Sequence, residues 1–313
     1  MTVKCAAIVG TGLIGRGWAV VFARAGWAVH LWDHDPKAAR LALASVHTSL
    51  ADLKTAGMLP GGGAQMGDIH LCETLADAVA EAAYIQECGP ENAEVKAAMI
   101  AEIDAAARPE ALIGSSTSTI PGSQFLQAVA GRDRAMVAHP ANPPHLMPVV
   151  ELVPSGWHSS AITQRFSELL QSVGQVPVVV EKEIEGFVMN RLQTAVVNEA
   201  IALVARGGIS PEGLDAVMKH SLGLRWALMG PFQTMDLNAP SGFYDYASRF
   251  GAHYQSMGRG LTVEAPWSDE TLKKIETACR SERPAGTLAR EMQRRDRALM
   301  KLLALKSELE AQS

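Results

Sequence analysis

Short apolar runs alternate with longer stretches of helical period along the first 180 residues, the pattern of a parallel sheet covered by helices. The runs predict strands over Cys5–Val9, Ala28–Trp32, Ile69–Cys72, Tyr84–Gln86, Ala111–Ser115, Ala135–Ala138 and Val149–Val153, with a last edge-like strand over Val176–Val180. Between the first two, Ile14–Ala25 reads as a helix with Gly26 at its C-terminal cap; Pro36–Ala56 is a longer helix ending at a loop, Gly57–Gly63. From Phe187 the pattern turns helical: Phe187–Arg206 has no proline or glycine and stops at Gly207-Gly208, Ser210-Pro211-Glu212 opens another helix, and Leu288–Leu309 is a charged terminal helix. That terminal helix reads as surface or subunit contact. The expected architecture is α/β, a Rossmann-type doubly wound sheet over residues 1–184 followed by an all-α domain over 185–313, with the boundary at Lys182–Gly186.

Composition narrows the class. With 48% hydrophobic and 19% charged residues the chain is neither disordered nor fibrous, and 313 residues suffice for two cores. A net charge of −5 argues against nucleic acid or an acidic membrane as partner, and no apolar run is long enough to span a bilayer. The first residues are too mixed for a signal peptide. Four scattered cysteines without a Cys-x-x-Cys pair fit reduced thiols in the cytoplasm.

The most specific motif is Gly10-Thr11-Gly12-Leu13-Ile14-Gly15, which follows an apolar strand and opens a helix. Gly10 permits the tight turn, Gly12 lets backbone approach a pyrophosphate, Gly15 allows close helix–strand packing, and the helix N-terminus attracts phosphate. Asp33 ends the second strand 18 residues later, where a carboxylate accepts from the adenine ribose and repels a 2′-phosphate. His34, not arginine, follows it. Together these predict NAD rather than NADP. Glu91 and Lys96 follow the strand ending at Gln86–Glu87, close to the ligand crevice by position, although on sequence alone a solvated helix start accounts for both better.

His139-Pro140-Ala141-Asn142-Pro143-Pro144 separates two apolar runs, and the prolines force an extended bend that lets the runs lie side by side. Glu151 sits among Val149, Val150, Leu152 and Val153, where a carboxylate needs a partner; His139 across the bend is the obvious one. Such an acid fixes the imidazole tautomer as a general base requires, or merely satisfies a core histidine. His145 fits no common metal spacing, so no metal is expected. Ser115-Ser116-Thr117-Ser118-Thr119 is a hydroxyl-rich turn, serving either to satisfy backbone or to donate beside a reacting oxygen. Asn190, Thr194 and Asn198 place a polar stripe on an apolar helix.

These blocks, with Gly186-Phe187-Val188-Met189-Asn190-Arg191, Gly223-Leu224-Arg225-Trp226 and Arg295-Asp296-Arg297, resemble the L-3-hydroxyacyl-CoA dehydrogenase superfamily over essentially the full length, most closely its lambda-crystallin/L-gulonate 3-dehydrogenase branch. The resemblance implies His139 as general base, Glu151 as its orienting acid, and Ser118 and Asn190 as hydrogen-bond donors to the reacting oxygen. It implies NAD contacts at Leu13, Ile14, Asp33, Glu91, Lys96 and Asn142, and a homodimer through the C-terminal helices. The implied reaction is NAD-dependent oxidation of a secondary 3-hydroxyl. Coenzyme A phosphates need several cations, and Leu41–Gly63 offers only Lys54, so a small hydroxy acid such as L-gulonate is favoured, with Arg225 clamping its carboxylate or else forming a structural ion pair. Carnitine, caged by Trp226, Phe232 and Tyr244, or a short 3-hydroxyacyl-CoA are the alternatives. A protein that binds NAD without turnover, as a lens crystallin does, ranks below them.

Overall fold

The computed structural model describes residues 4–59, 66–261 and 267–311. Eight strands form one sheet in the order β3-β2-β1-β4-β5-β6-β7-β8. They are β1 (Cys5–Val9), β2 (Ala28–Trp32), β3 (Ile69–Leu71), β4 (Tyr84–Glu87), β5 (Leu112–Ser115), β6 (Ala135–Pro140), β7 (Val149–Val153) and β8 (Val176–Val179). All neighbours pair in parallel except β6 and β7, which run antiparallel through the proline bend. Helices α1 (Leu13–Arg24), α2 (Pro36–Thr55), α3 (Leu75–Val79), α4 (Ala93–Ala106) and α5 (Ser160–Ser172) connect them.

Alternation along each strand builds two cores. Ala6 and Ile8 of β1 face a cluster with Trp18, Phe22, Tyr84 and Phe166, while Cys5, Ala7 and Val9 face the other side with Ile85, Ile100, Ile113 and Phe187. The strand order reverses between β1 and β4, so their carboxyl ends open the crevice where such sheets bind ligands.

The chain divides into two compact units, Met1–Asn190 with Asp296–Ser307, and Arg191–Arg295 with Glu308–Ser313. The second unit is helical: most of α6 (Met189–Ala205), then α7 (Pro211–Val217), a π-helical turn Met218–Leu222, α8 (Gly223–Trp226), α9 (Pro231–Leu237), α10 (Phe243–Gly258) and α11 (Asp269–Glu282). The last helix, α12 (Leu288–Glu310), contributes to both units.

Three expectations change. The terminal helix is not wholly a surface element: Met300 is buried in the first unit's core, with Leu299 and Leu303 packed beside it, and Arg297 reaches Asp52 of α2 at 3.4 Å. Its abundant charges hide that short apolar face in the sequence. The helix expected from Phe187 begins at Met189, because Gly186 (φ 72°) and Phe187 (φ 49°) both take left-handed backbone. The strand expected to end at Ala138 continues through Pro140, so His139 lies inside the ladder. Of the loop expected at Gly57–Gly63, residues 60–63 lie outside the described residues.

Candidate active site

The glycine motif sits where β1 passes into α1. Gly10 has φ 96°, and a side-chain carbon there would meet the Cys88 carbonyl oxygen at 2.7 Å. At Gly15 it would collide with the Gly10 carbonyl, so the helix approaches the strand only with glycine. Gly12 is different. A carbon placed there meets no protein atom within 4 Å, and it stands at the N-terminus of α1 with no side-chain cap. That open cradle before unpaired helix amides fits a pyrophosphate. Leu13 beside it is 63% exposed and Ile14 is half-buried.

Asp33 closes the motif. Its Oδ2 accepts from Thr11 N (2.7 Å) and Thr11 Oγ1 (2.9 Å), while Oδ1 accepts from Asp35 N (3.0 Å) and lies 3.1 Å from His34 Nδ1. Burial alone would raise its pKa, but the Thr11 and Asp35 bonds and the nearby His34 outweigh burial and hold it below its ordinary 3.8. The carboxylate thereby stays ionised beside the crevice.

His139 and Glu151 are directly paired across the β6–β7 ladder. His139 Nδ1 lies 2.8 Å from Glu151 Oε2, and both residues are buried, at 4% and 3% exposure. Glu151 Oε1 accepts from the Val188 and Met189 amides, each at 2.9 Å, at the start of α6. Burial pushes the Glu151 pKa up, yet the His139 bond and the two amides push harder and leave it below 4.5. An ionised carboxylate only accepts, so Nδ1 carries a proton, which in the neutral ring leaves the lone pair on Nε2. The Phe187 ring packs 5.4 Å from the imidazole. Gly17 of α1 leaves room for Pro144, which seats the Asn142-Pro143-Pro144 bend against the helix; the Asn142–Pro143 bond is cis, and Asn142 is exposed.

Ser118 is exposed on the loop after β5, and Asn190 Nδ2 donates to its carbonyl at 2.6 Å. Glu91 Oε1 grips the same loop through Thr117, Ser118 and Thr119. Lys96 is buried. It is 1% exposed, with Nζ bonded to both oxygens of Glu87 (3.0 and 3.1 Å) and to the Gly89 carbonyl (3.3 Å). The buried ammonium is thus committed to a buried acid, and it also lies 3.9 Å from Glu91 Oε2.

Sequence reading missed that acid. Glu87 is fully buried at the end of β4, accepting also from Ser115 Oγ (2.5 Å) and Gly89 N (2.6 Å). A carboxylate closing an apolar strand with a lysine nine residues on was the available signal. It also missed Gln86, whose Nε2 donates to Ser116 Oγ (2.7 Å) and the Ala138 carbonyl (3.2 Å) while Tyr84 donates to its Oε1.

In the second unit Arg225 is exposed on α8. Asn198 accepts from Trp267 Nε1 at 3.3 Å, so the polar stripe is partly spent on packing. Among the described residues Phe232 meets Phe243 at 5.9 Å, and no ring pair joins it to Trp226 or Tyr244. No group of three or more His, Cys, Asp or Glu is arranged for a metal among the described residues, and no described helix is long and apolar enough to cross a membrane.

Comparison with known proteins accords with this geometry. Residues 5–184 match the 3-hydroxyacyl-CoA dehydrogenase NAD binding domain, and residues 186–283 match the 3-hydroxyacyl-CoA dehydrogenase C-terminal domain. The chain is 41% identical to a lambda-crystallin homolog of Bos taurus over 97% of its own length and 96% of the relative's. It is 38% identical to an L-carnitine dehydrogenase/betainyl-CoA thioesterase of Rhizobium sp, covering 96% of this chain and 61% of that protein. A solved 5-formyl-3-hydroxy-2-methylpyridine 4-carboxylic acid 5-dehydrogenase, described as an NAD+-dependent dismutase, superposes with a TM-score of 0.85 at 27% identity over 98% of this chain and 99% of that one. With the glycine motif and Asp33 of an NAD-binding domain, a buried histidine–acid pair and both family domains in order, the chain belongs to the 3-hydroxyacyl-CoA dehydrogenase family, on its lambda-crystallin branch, and is an NAD-dependent hydroxy-acid dehydrogenase.

Proposed function

We propose that the enzyme oxidises the secondary 3-hydroxyl of a small hydroxy acid of the L-gulonate type, with His139 as general base. The observation that carries this reading is the 2.8 Å bond between His139 Nδ1 and Glu151 Oε2. NAD, when bound, supplies the hydride acceptor. His139 Nε2 takes the hydroxyl proton, and the Glu151 carboxylate stabilises the imidazolium that results. The Ser118 hydroxyl and the Asn190 amide donate to the substrate oxygen as it becomes a carbonyl. Gly10, Gly12, Leu13, Ile14 and Gly15 receive the pyrophosphate end of the dinucleotide, Asp33 its adenine ribose, and Glu91 and Asn142 the nicotinamide side.

The substrate class follows from charge. Leu41–Gly63 carries a single lysine, too few cations for coenzyme A phosphates, whereas one guanidinium suffices for one carboxylate. Arg225 is that guanidinium in this reading. Carnitine is the second reading, favoured by the Rhizobium relative. A homodimer through the second unit accords with its exposed Leu224, Leu228, Phe232 and Leu237. Four free cysteines accord with a cytoplasmic setting.

The test is a panel of L-gulonate, L-carnitine, 3-hydroxybutyrate and 3-hydroxybutyryl-CoA with NAD, followed by NADH absorbance. Preferred turnover of L-gulonate is expected. Preference for the coenzyme A ester or for carnitine overturns the substrate, and inertness toward every member favours the non-catalytic binder.

A further inference from the structure

Ser118 belongs to a run of small hydroxylic residues with no apolar side chain to anchor it, and it is exposed. A donor aimed at a reacting oxygen has to be held within a fraction of an ångström, so something else must fix this loop. The structure shows what does. Glu91 Oε1 accepts four hydrogen bonds from three consecutive residues: Thr117 Oγ1 (2.8 Å), Ser118 N (2.9 Å), Thr119 N (2.9 Å) and Thr119 Oγ1 (3.1 Å). From the other side Asn190 holds the Ser118 carbonyl. Both backbone groups of Ser118 are thus tied.

Glu91 is itself braced from beneath. The buried Lys96 ammonium bonds the Gly89 carbonyl two residues upstream and lies 3.9 Å from Glu91 Oε2. Glu87 takes the same ammonium and also the Gly89 amide, so both polar groups of Gly89 are fixed. A carboxylate oxygen with four donors has no room left for a ligand; only Oε2 remains for the cofactor side.

We propose that Glu91 is a positioning residue for the Ser118 hydroxyl, supported by the Lys96–Glu87 pair, and that its principal contribution to turnover runs through that loop rather than through cofactor affinity. This rests on the reading of Ser118 as a donor to the substrate oxygen. Burial by itself would raise the Glu91 pKa, but the bonds from Thr117, Thr119 and Ser118 and the Lys96 charge leave it below 4.5, so it stays an acceptor at neutral pH.

A double-mutant cycle tests this: Glu91→Ala, Ser118→Ala and the double variant, assayed with NAD and L-gulonate, with NADH affinity read by fluorescence. Glu91→Ala is expected to lower kcat about 10²-fold, the scale of losing one oriented donor. NADH Kd should move less than about threefold, and in the Ser118→Ala background the Glu91 substitution should cost less than about threefold, as coupled sites require. Glu91→Gln keeps the shape and one acceptor oxygen, should recover part of the loss, and carries the same cycle if the alanine variant does not fold. Independent, multiplying losses overturn the proposal, as does an NADH Kd that rises as much as kcat falls. Unchanged turnover in Ser118→Ala alone would instead sink the donor reading itself, and it shows in a variant where Glu91 is untouched.

Discussion

Glu151 uses its two oxygens for two different parts of the chain. Oε2 orients His139 from the neighbouring strand, while Oε1 takes the Val188 and Met189 amides that open α6. One carboxylate therefore sets the tautomer of His139, the proposed base, and tethers the start of the helix that carries Asn190, a proposed donor.

His139→Ala should abolish turnover while leaving NADH binding within a few-fold of wild type. Glu151→Gln should retain a well-folded protein but lose on the order of 10²–10⁴-fold in kcat, since a carboxamide no longer stabilises the imidazolium. Steady-state kinetics and NADH titration of both variants check this. Near-normal turnover in His139→Ala would remove the base from the mechanism.

Acid should destabilise the fold through Asp33, Glu91 and Glu151. All three are held below their ordinary values of 3.8, 4.5 and 4.5. The unfolded chain therefore takes up these protons first on acidification. Their contribution is complete above the ordinary values and disappears as pH falls through them toward the lower folded values. Melting temperature should drop below roughly pH 4.5. Glu151→Gln should show a shallower acid decline than wild type, and parallel curves would contradict the sign.

Asp33→Asn should weaken NADH binding by about tenfold or more, the scale of losing a charge-assisted hydrogen bond. The preference for NAD over NADP should narrow at the same time, because the charge that repels a 2′-phosphate is gone. The ratio of kcat/KM for the two cofactors is the measurement.

Arg225→Met should raise KM for a carboxylate substrate by about tenfold to a hundredfold, consistent with a lost bidentate ion pair, and leave NADH affinity unchanged. Unaltered KM would dismiss the clamp.

Burial pushes the Cys88 thiol up to about 12 despite the bond to Ser116, which favours the thiol over the nucleophilic thiolate. In folded protein at about pH 8 it should resist iodoacetamide, and become alkylated only on denaturation. Mass spectrometry of the labelled peptides decides the point.

The sheet was readable because its strands centre on short apolar runs bounded by turn residues, and the glycine motif stood in its full strand–helix context. The His139–Glu151 pairing was readable too, since Pro140, Pro143 and Pro144 leave the chain little choice but to fold back. Polar side chains that serve other side chains were not. Lys96 looks like a solvated helix residue until Glu87 is seen beneath it, and Glu91 gives no local sign that its partners lie 26–28 positions away. Such contacts depend on which strands become neighbours, which a linear pattern does not encode. The π-helical turn before Arg225 likewise has no periodicity distinguishing it from ordinary helix.

The return of residues 296–307 to the first unit carries a consequence for biosynthesis and dissection. The nucleotide-binding part begins at the first strand but is finished only when residues 296–307, beyond most of the second unit, have been made. A fragment stopped after residue 190 would lack the apolar patch that Met300 adds to the first unit's core, and would meet solvent there. The folding unit is therefore a loop in the chain rather than a segment of it, and its last stitch comes from the helix whose charges make it look least like a core.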